Sequence, residues 1–265
     1  MNITHYPMHP GPANSGMHSI KRLVSLLICS LTLLAAQVAE AQVVYQGGSN
    51  VQLLYGRDLL QSGQLATITV EHFGDYSALE QFGFADLAND ASLAAPTLYL
   101  EWYPKVSLSR ATGRAVGLGP VSDVLLSGGI NVLFGGTEDF FVYTAGPAFK
   151  FRIPGQGLFQ LETYYYKQHG GEYRGTYQIT PSWDIPLPVT ERVRLRFRGF
   201  MDFIGDRGPG SAQYLTQPQL HIDLGNFWDK PDKVYLGSEW RYWQNVAGIH
   251  GLDESILQAN VLFSL

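Results

Sequence analysis

From Asn50 to the end of the chain, apolar and polar residues alternate with a period of two, and short clusters of turn residues interrupt the alternation. The clearest stretch is Glu191 to Phe203, where Arg192, Arg194, Arg196 and Arg198 alternate with Val193, Leu195, Phe197 and Gly199. In a strand, successive side chains point to opposite faces, so all four guanidinium groups share one face. A helix would scatter them around its circumference. The same pattern predicts strands over 50–57, 64–73, 79–86, 96–108, 122–134, 139–153, 157–168, 175–187, 192–204, 214–226, 234–246 and 253–265. Breaks fall at Gly74-Asp75, Gly135-Gly136, Pro154-Gly155, Gly170-Gly171, Pro186-Leu187-Pro188, Gly208-Pro209-Gly210 and Lys230-Pro231-Asp232, all turn-forming combinations. Twelve segments at this spacing predict an all-β antiparallel barrel or a sandwich.

Alternation does not say which face is inside. A soluble barrel buries its apolar face, whereas a transmembrane barrel turns that face to lipid and keeps the polar face in the lumen. Residues 1–41 carry the features that favour the second arrangement. Lys21-Arg22 precedes an apolar run from Leu23 to Leu34, and Ala39-Glu40-Ala41 is a small-x-small cleavage pattern. Together they predict a secretory signal peptide cut before Gln42, with Met17 as the start of translation. That run is too short to span a bilayer as a helix, which takes about 20 residues. The even strand count points the same way. So do aromatic clusters near strand ends (Tyr164-Tyr165-Tyr166, Phe140-Phe141, Trp240 to Trp243) and a closing strand that carries Leu257, Ala259, Val261, Phe263 and Leu265 on one face. The expectation is a transmembrane antiparallel β-barrel of about twelve strands over residues 42–265, in a Gram-negative outer membrane. With both termini periplasmic, connections after odd strands face outward and are expected to be the longer ones; 109–121 is long for a periplasmic turn.

Composition narrows the chemistry. Cys29, the only cysteine, lies within the signal segment, so disulfides and thiolate metal sites are excluded. Removing Lys21, Arg22 and Glu40 takes the formal net charge from −5 to −6, which argues against nucleic-acid binding. His72, His169, His221 and His250 fall on separate elements without metal-ligand spacing, and no motif-bearing serine accompanies His72 or His250. No enzyme, no cofactor and no metal is expected.

The chain resembles the nucleoside-specific channel-forming (Tsx-type) family of Gram-negative outer membranes. The resemblance rests on Glu71-His72-Phe73, Phe82-Gly83-Phe84-Ala85-Asp86, Leu100-Glu101-Trp102-Tyr103-Pro104-Lys105 with Ser107, Gly199-Phe200-Met201-Asp202-Phe203, and Arg241-Tyr242-Trp243. It implies a monomeric twelve-stranded barrel with a narrow pore lined by aromatic and ionisable residues. The loops after the fifth and seventh strands are shorter than that family's, and the arginine ladder matches no motif of it.

Polar strand faces supply the candidate pore-lining and substrate residues: Glu71, Tyr99, Glu101, Tyr103, Lys105, Glu162, Tyr164, Asp184, Arg194, Arg196, Arg198, Asp202, Glu239, Arg241 and Trp243. Tyr and Trp can stack on a flat base, while Arg, Asp and Glu can bond ribose hydroxyls and base edges. Close like charges repel, so the arginines are expected to pair with carboxylates on other strands, chiefly Glu101, Glu162, Asp202 and Glu239. The expected function is passive diffusion of nucleosides or similar small polar solutes. The alternative is a barrel plugged by its own side chains that serves as a structural element or surface receptor. The expected partners are outer-membrane lipid and such solutes.

Overall fold

A computed structural model describes residues 46–60, 63–90, 96–135, 140–153, 157–170 and 172–265. The signal segment and Met17, together with Gly136, Pro154-Gly155 and Gly171, lie outside the described residues. The strands are β1 Gln46–Asp58, β2 Gln64–Asp75, β3 Leu79–Asp90, β4 Thr97–Ser107, β5 Val121–Phe134, β6 Phe140–Phe151 and β7 Leu158–Gln168. They continue with β8 Thr176–Pro188, β9 Arg194–Ile204, β10 Gln213–Thr216, β11 Gln219–Asp223, β12 Val234–Gln244 and β13 Glu254–Ser264. Each pairs antiparallel with its neighbour, and β1 pairs with β13 from Asn50↔Ser264 to Asp58↔Ile256. The sheet is therefore closed, and no edge is left to pair with another chain.

β10 and β11 both pair with β9 and β12, so they are two halves of one stave and the barrel has twelve staves. The pattern placed one continuous strand there, over 214–226. Pro218 interrupts it, because proline has no N–H to give to the ladder. The backbone closes over the gap with Gln217 N donating to Phe200 O at 3.2 Å and Trp240 N donating to Pro218 O at 3.0 Å. Gly199 on β9 lies against this kink at φ +150°, where a Cβ would stand 2.6 Å from Gln217 O. A side chain there would strike backbone. Beyond Asp223 the stave gives way to a 3₁₀ turn, Gly225–Trp228.

Other boundaries shift for local reasons. β9 begins at Arg194, so Arg192 and Val193 sit in the preceding turn, where Thr190 Oγ1 accepts from Val193 N at 2.9 Å. β8 runs through Pro186 to Pro188, so those prolines end a strand instead of forming the turn. The connection 108–120 lies at the same barrel end as the termini and is the longest one there. It contains the only α-helix among the described residues, α1 (Leu108–Thr112), capped by Ser107 Oγ accepting from Arg110 N at 3.1 Å. Its length goes against the expectation that the long connections gather at the far end. Arg110 ties it down by donating to Tyr76 O and pairing with Asp75 at 2.5 Å.

The barrel's polarity is inverted relative to a water-soluble protein. Leu53, Ile68 and Val70 face outward and are 47, 46 and 48 % exposed, whereas Gln52, Glu80 and Asn260 face inward at 1, 0 and 0 %. Water would not stabilise that exterior; hydrocarbon would. An aromatic cluster adorns one side of the exterior, with Tyr214 4.9 Å from Phe203 and 6.0 Å from Tyr242, and Trp240 5.8 Å from Tyr242. Of the sequence clusters, Trp240 and Tyr242 belong to it, whereas the strand period turns Tyr164, Tyr166, Phe140 and Trp243 inward. On β9, Leu195 and Phe197 face outward, but Leu195 is next to the strand end, where a charge costs about 0–1 kcal/mol. Leu53 lies in the middle of β1, so Leu53→Arg is expected to cost about 2–4 kcal/mol. Urea titration of the barrel refolded in lipid vesicles, with Leu195→Arg beside it, checks both figures.

Candidate functional site

Inside the barrel the side chains form three linked groups. Near the end that holds the termini, Lys105 on β4 donates to Gln160 at 2.6 Å and to Glu162, both on β7. Gln160 in turn donates to Glu80 on β3, and Lys150 on β6 reaches Glu80 at 2.8 Å and Asp75 at 3.4 Å. These bonds join strands that are not neighbours in the sheet, so they cross the lumen. The alternation points to Lys150 on the polar face of the sixth strand but not to Asp75, Glu80 or Gln160. β3 hides its polar face: Glu80 and Asp86 share the inward side with Phe82 and Phe84, while Gln81, Gly83 and Ala85 face out, which blurs the usual alternation.

The arginine ladder lies across from this group and is only partly inside. Arg194 is exposed at the rim. Arg196 forms a two-pronged pair with Asp184 at 2.7 and 2.5 Å. Arg198 on β9 reaches Glu71 on β2 at 2.5 Å, and Asn50 adds a bond to the same Glu71 oxygen at 2.8 Å. Along the shorter arc, the β10–β11 stave, β12, β13 and β1 separate the two partners, so this bridge spans much of the lumen. The partners differ from the expected Glu101, Glu162, Asp202 and Glu239. Barrel closure and stagger decide which strands meet, and one strand's pattern carries no information about that. Gln219 to Gln52 (3.1 Å) and Asn260 to Gln52 (2.8 Å) extend the same wall.

The third group combines rings and carboxylates. Tyr103 and Tyr164 stack at 5.7 Å; Tyr103 bonds Asn131 and Tyr164 meets Ser127 Oγ, each at 2.9 Å. Gly129 makes room for this stack, since a Cβ there would come within 2.3 Å of the Tyr103 ring. Phe82, Phe84, Tyr99 and Phe140 follow one another at 6.0, 5.9 and 6.1 Å, a strip of rings on the inner wall of which the sequence pattern singles out Tyr99 alone. Tyr99 donates to Glu101. Asp202 accepts from Thr180 at 2.5 Å and Gln178 at 3.1 Å, and Glu239 accepts from Gln219 at 2.6 Å and Gln258 at 2.8 Å. Arg241 pairs with Glu254 at 3.2 Å and lies over Trp243 at 5.4 Å, while Trp243 donates to Gln213 at 3.0 Å.

At the end away from the termini, the 205–212 connection turns Arg207 inward. It is 2 % exposed, donates to Tyr166 at 3.1 Å and to Ala247 O at 2.9 Å, and lies over Tyr166 and Tyr173. Sequence pattern offered no sign of it, because loop residues have no alternation to place them.

Ser49 Oγ and His72 Nδ1 are 2.9 Å apart on the outer face, a contact the sequence did not reveal. The other ring nitrogen of His72 faces Tyr76 OH at 3.3 Å and Gln81, with no carboxylate to orient it. The pair is a polar anchor at the edge of the apolar band. Among the described residues no group of three or more His, Cys, Asp or Glu is arranged to hold a metal.

No family model matches the sequence, and no curated protein matches it either. Among solved structures, the KdgM porin is 8 % identical, with a TM-score of 0.48 over 82 % of this chain and 99 % of that one. A NanC porin is also 8 % identical, with a TM-score of 0.49 over 81 % of this chain and 100 % of that one. The translocator domain of the autotransporter NalP from Neisseria meningitidis is 10 % identical, with a TM-score of 0.38 over 93 and 97 %. At such low similarity, the solute has to be read from this chain's own lumen.

Proposed function

We propose that the protein is a monomeric passive channel of a Gram-negative outer membrane, with both termini periplasmic, and that it passes nucleosides or similar small polar solutes. The observation that carries this reading is the strip of rings Phe82, Phe84, Tyr99 and Phe140 on the wall of an otherwise polar, charged lumen. Rings offer a flat apolar surface, and the Glu101, Glu239 and Arg241 groups offer hydrogen bonds beside it. A solute with one flat apolar face and a rim of hydroxyl and amide groups matches both. Contacts of this kind are individually weak, as flux requires, because a solute that binds tightly does not leave.

The bridge from Arg198 to Glu71 and the inward Arg207 favour a second reading, in which the lumen is plugged by its own side chains and the barrel acts as a surface receptor. Planar-bilayer recordings separate the two: a channel gives discrete current steps and a plug gives none. For solute choice, Arg196→Ala combined with Trp243→Ala is expected to lower nucleoside flux into liposomes more than that of an equally sized sugar alcohol. Equal slowing of both would mean a plain sieve.

A further inference from the structure

The lumen holds a surplus of hydrogen-bond acceptors. Six inward carboxylates have a cation: Glu71, Asp75, Glu80, Glu162, Asp184 and Glu254. Asp123 and Asp223 accept backbone N–H groups at the turns, Ser109 N at 3.1 Å and Asn226 N at 3.1 Å. Among the described residues Asp86, Glu101, Asp202 and Glu239 show neither: Asp86 accepts from Thr69 at 2.5 Å, Glu101 from tyrosine hydroxyls, Asp202 from Thr180 and Gln178, and Glu239 from glutamine side chains. Register sets Asp86 opposite Tyr99, whose hydroxyl bonds Glu101, and Leu215 pairs on one side with Asp202 and on the other with Trp243, on the strand of Glu239; the field of the first two carboxylates reaches the second two across the lumen. Arg241, whose charge acts on Asp86 and Glu239, is already held by Glu254 at 3.2 Å.

A second observation points to what is missing. Gln178 and Gln258, each 2 % exposed, use their amide N–H groups on this belt, Gln178 on Asp202 and Gln258 on Glu239. Each is left with an amide oxygen that meets no donor among the described residues. Carboxylates and unmet carbonyl oxygens in one place call for a positive group bearing N–H donors. The rings of Phe84 and Tyr99, next along their strands from Asp86 and Glu101, add faces that attract cations.

We propose that this belt of Asp86, Glu101, Asp202 and Glu239 makes the channel prefer cations, and that it is a passing site for small organic ammonium solutes. The proposal rests on the channel reading and specifies the charge of what that channel passes. Rings of acidic side chains select cations by raising their concentration in the pore and excluding anions.

The test is the reversal potential in planar bilayers under a potassium chloride gradient, repeated with ethylammonium chloride. The wild-type channel should carry cations several times better than chloride in both salts. Glu101→Gln with Asp202→Asn should cut that ratio severalfold, while Asp229→Asn, exposed just past the 3₁₀ turn, should leave it unchanged. Circular dichroism and heat-modifiable gel migration establish that each variant is folded. Current steps with chloride preferred, or a ratio unmoved by the paired substitution, would overturn the selectivity while leaving the channel intact. The absence of any current steps would overturn both.

Discussion

Replacing Lys105 by methionine is expected to destabilise the barrel by about 3–5 kcal/mol, the range for removing one partner of a buried ion pair. The Lys105 side chain is 5 % exposed, and its carboxylate partners Glu80 and Glu162 are 0 and 9 % exposed. Glu80 keeps Lys150, so the main loss falls on Glu162, whose charge is left without a cation. The cost comes from that stranded charge more than from the missing attraction. Lys105→Met combined with Glu162→Gln should therefore recover much of the loss. Urea midpoints of the four proteins in a double-mutant cycle, measured in lipid vesicles, give the coupling directly. A single-mutant cost below about 1 kcal/mol would mean that this end of the lumen is hydrated enough to screen the pair.

The second large effect concerns the bridge across the lumen. Removing it with Arg198→Ala and Glu71→Gln together is expected to raise single-channel conductance severalfold. The double substitution matters, because Arg198→Ala alone would leave Glu71 buried and charged. The two side chains are anchored on β9 and β2 and meet over the lumen. Removing them widens the passage without cutting a bond of the barrel sheet. An unchanged conductance would place the narrowest point elsewhere, with Arg207 at the far mouth as the next candidate to substitute.

The residues show why some of this could be read along the chain and some could not. On β4 and β7 the alternation is clean, and the inward set Tyr99, Glu101, Tyr103, Lys105, Glu162 and Tyr164 follows from counting in twos. On β3 the inward face mixes Phe82 and Phe84 with Glu80 and Asp86, so the same counting finds no polar face, and two of the most consequential carboxylates go unseen. Pro218 was visible in the sequence, but its effect depends on Gly199, which lies opposite it only once β9 and the tenth stave are in register.

The barrel class and most strands, with the facing of side chains on cleanly alternating strands such as β4 and β7, were therefore determined by the sequence itself, because a strand's period of two is a property of the local backbone. Which inward residues meet was decided only by the tertiary structure. Arg198 could have faced any carboxylate in the lumen. Its partner is Glu71 because closing β1 onto β13 with the observed register sets the stagger of every stave, and stagger determines which side chains share a level. The same closure brings Asp86, Glu101, Asp202 and Glu239, from four staves widely separated along the chain, to the lumen with no ion pair of their own among the described residues.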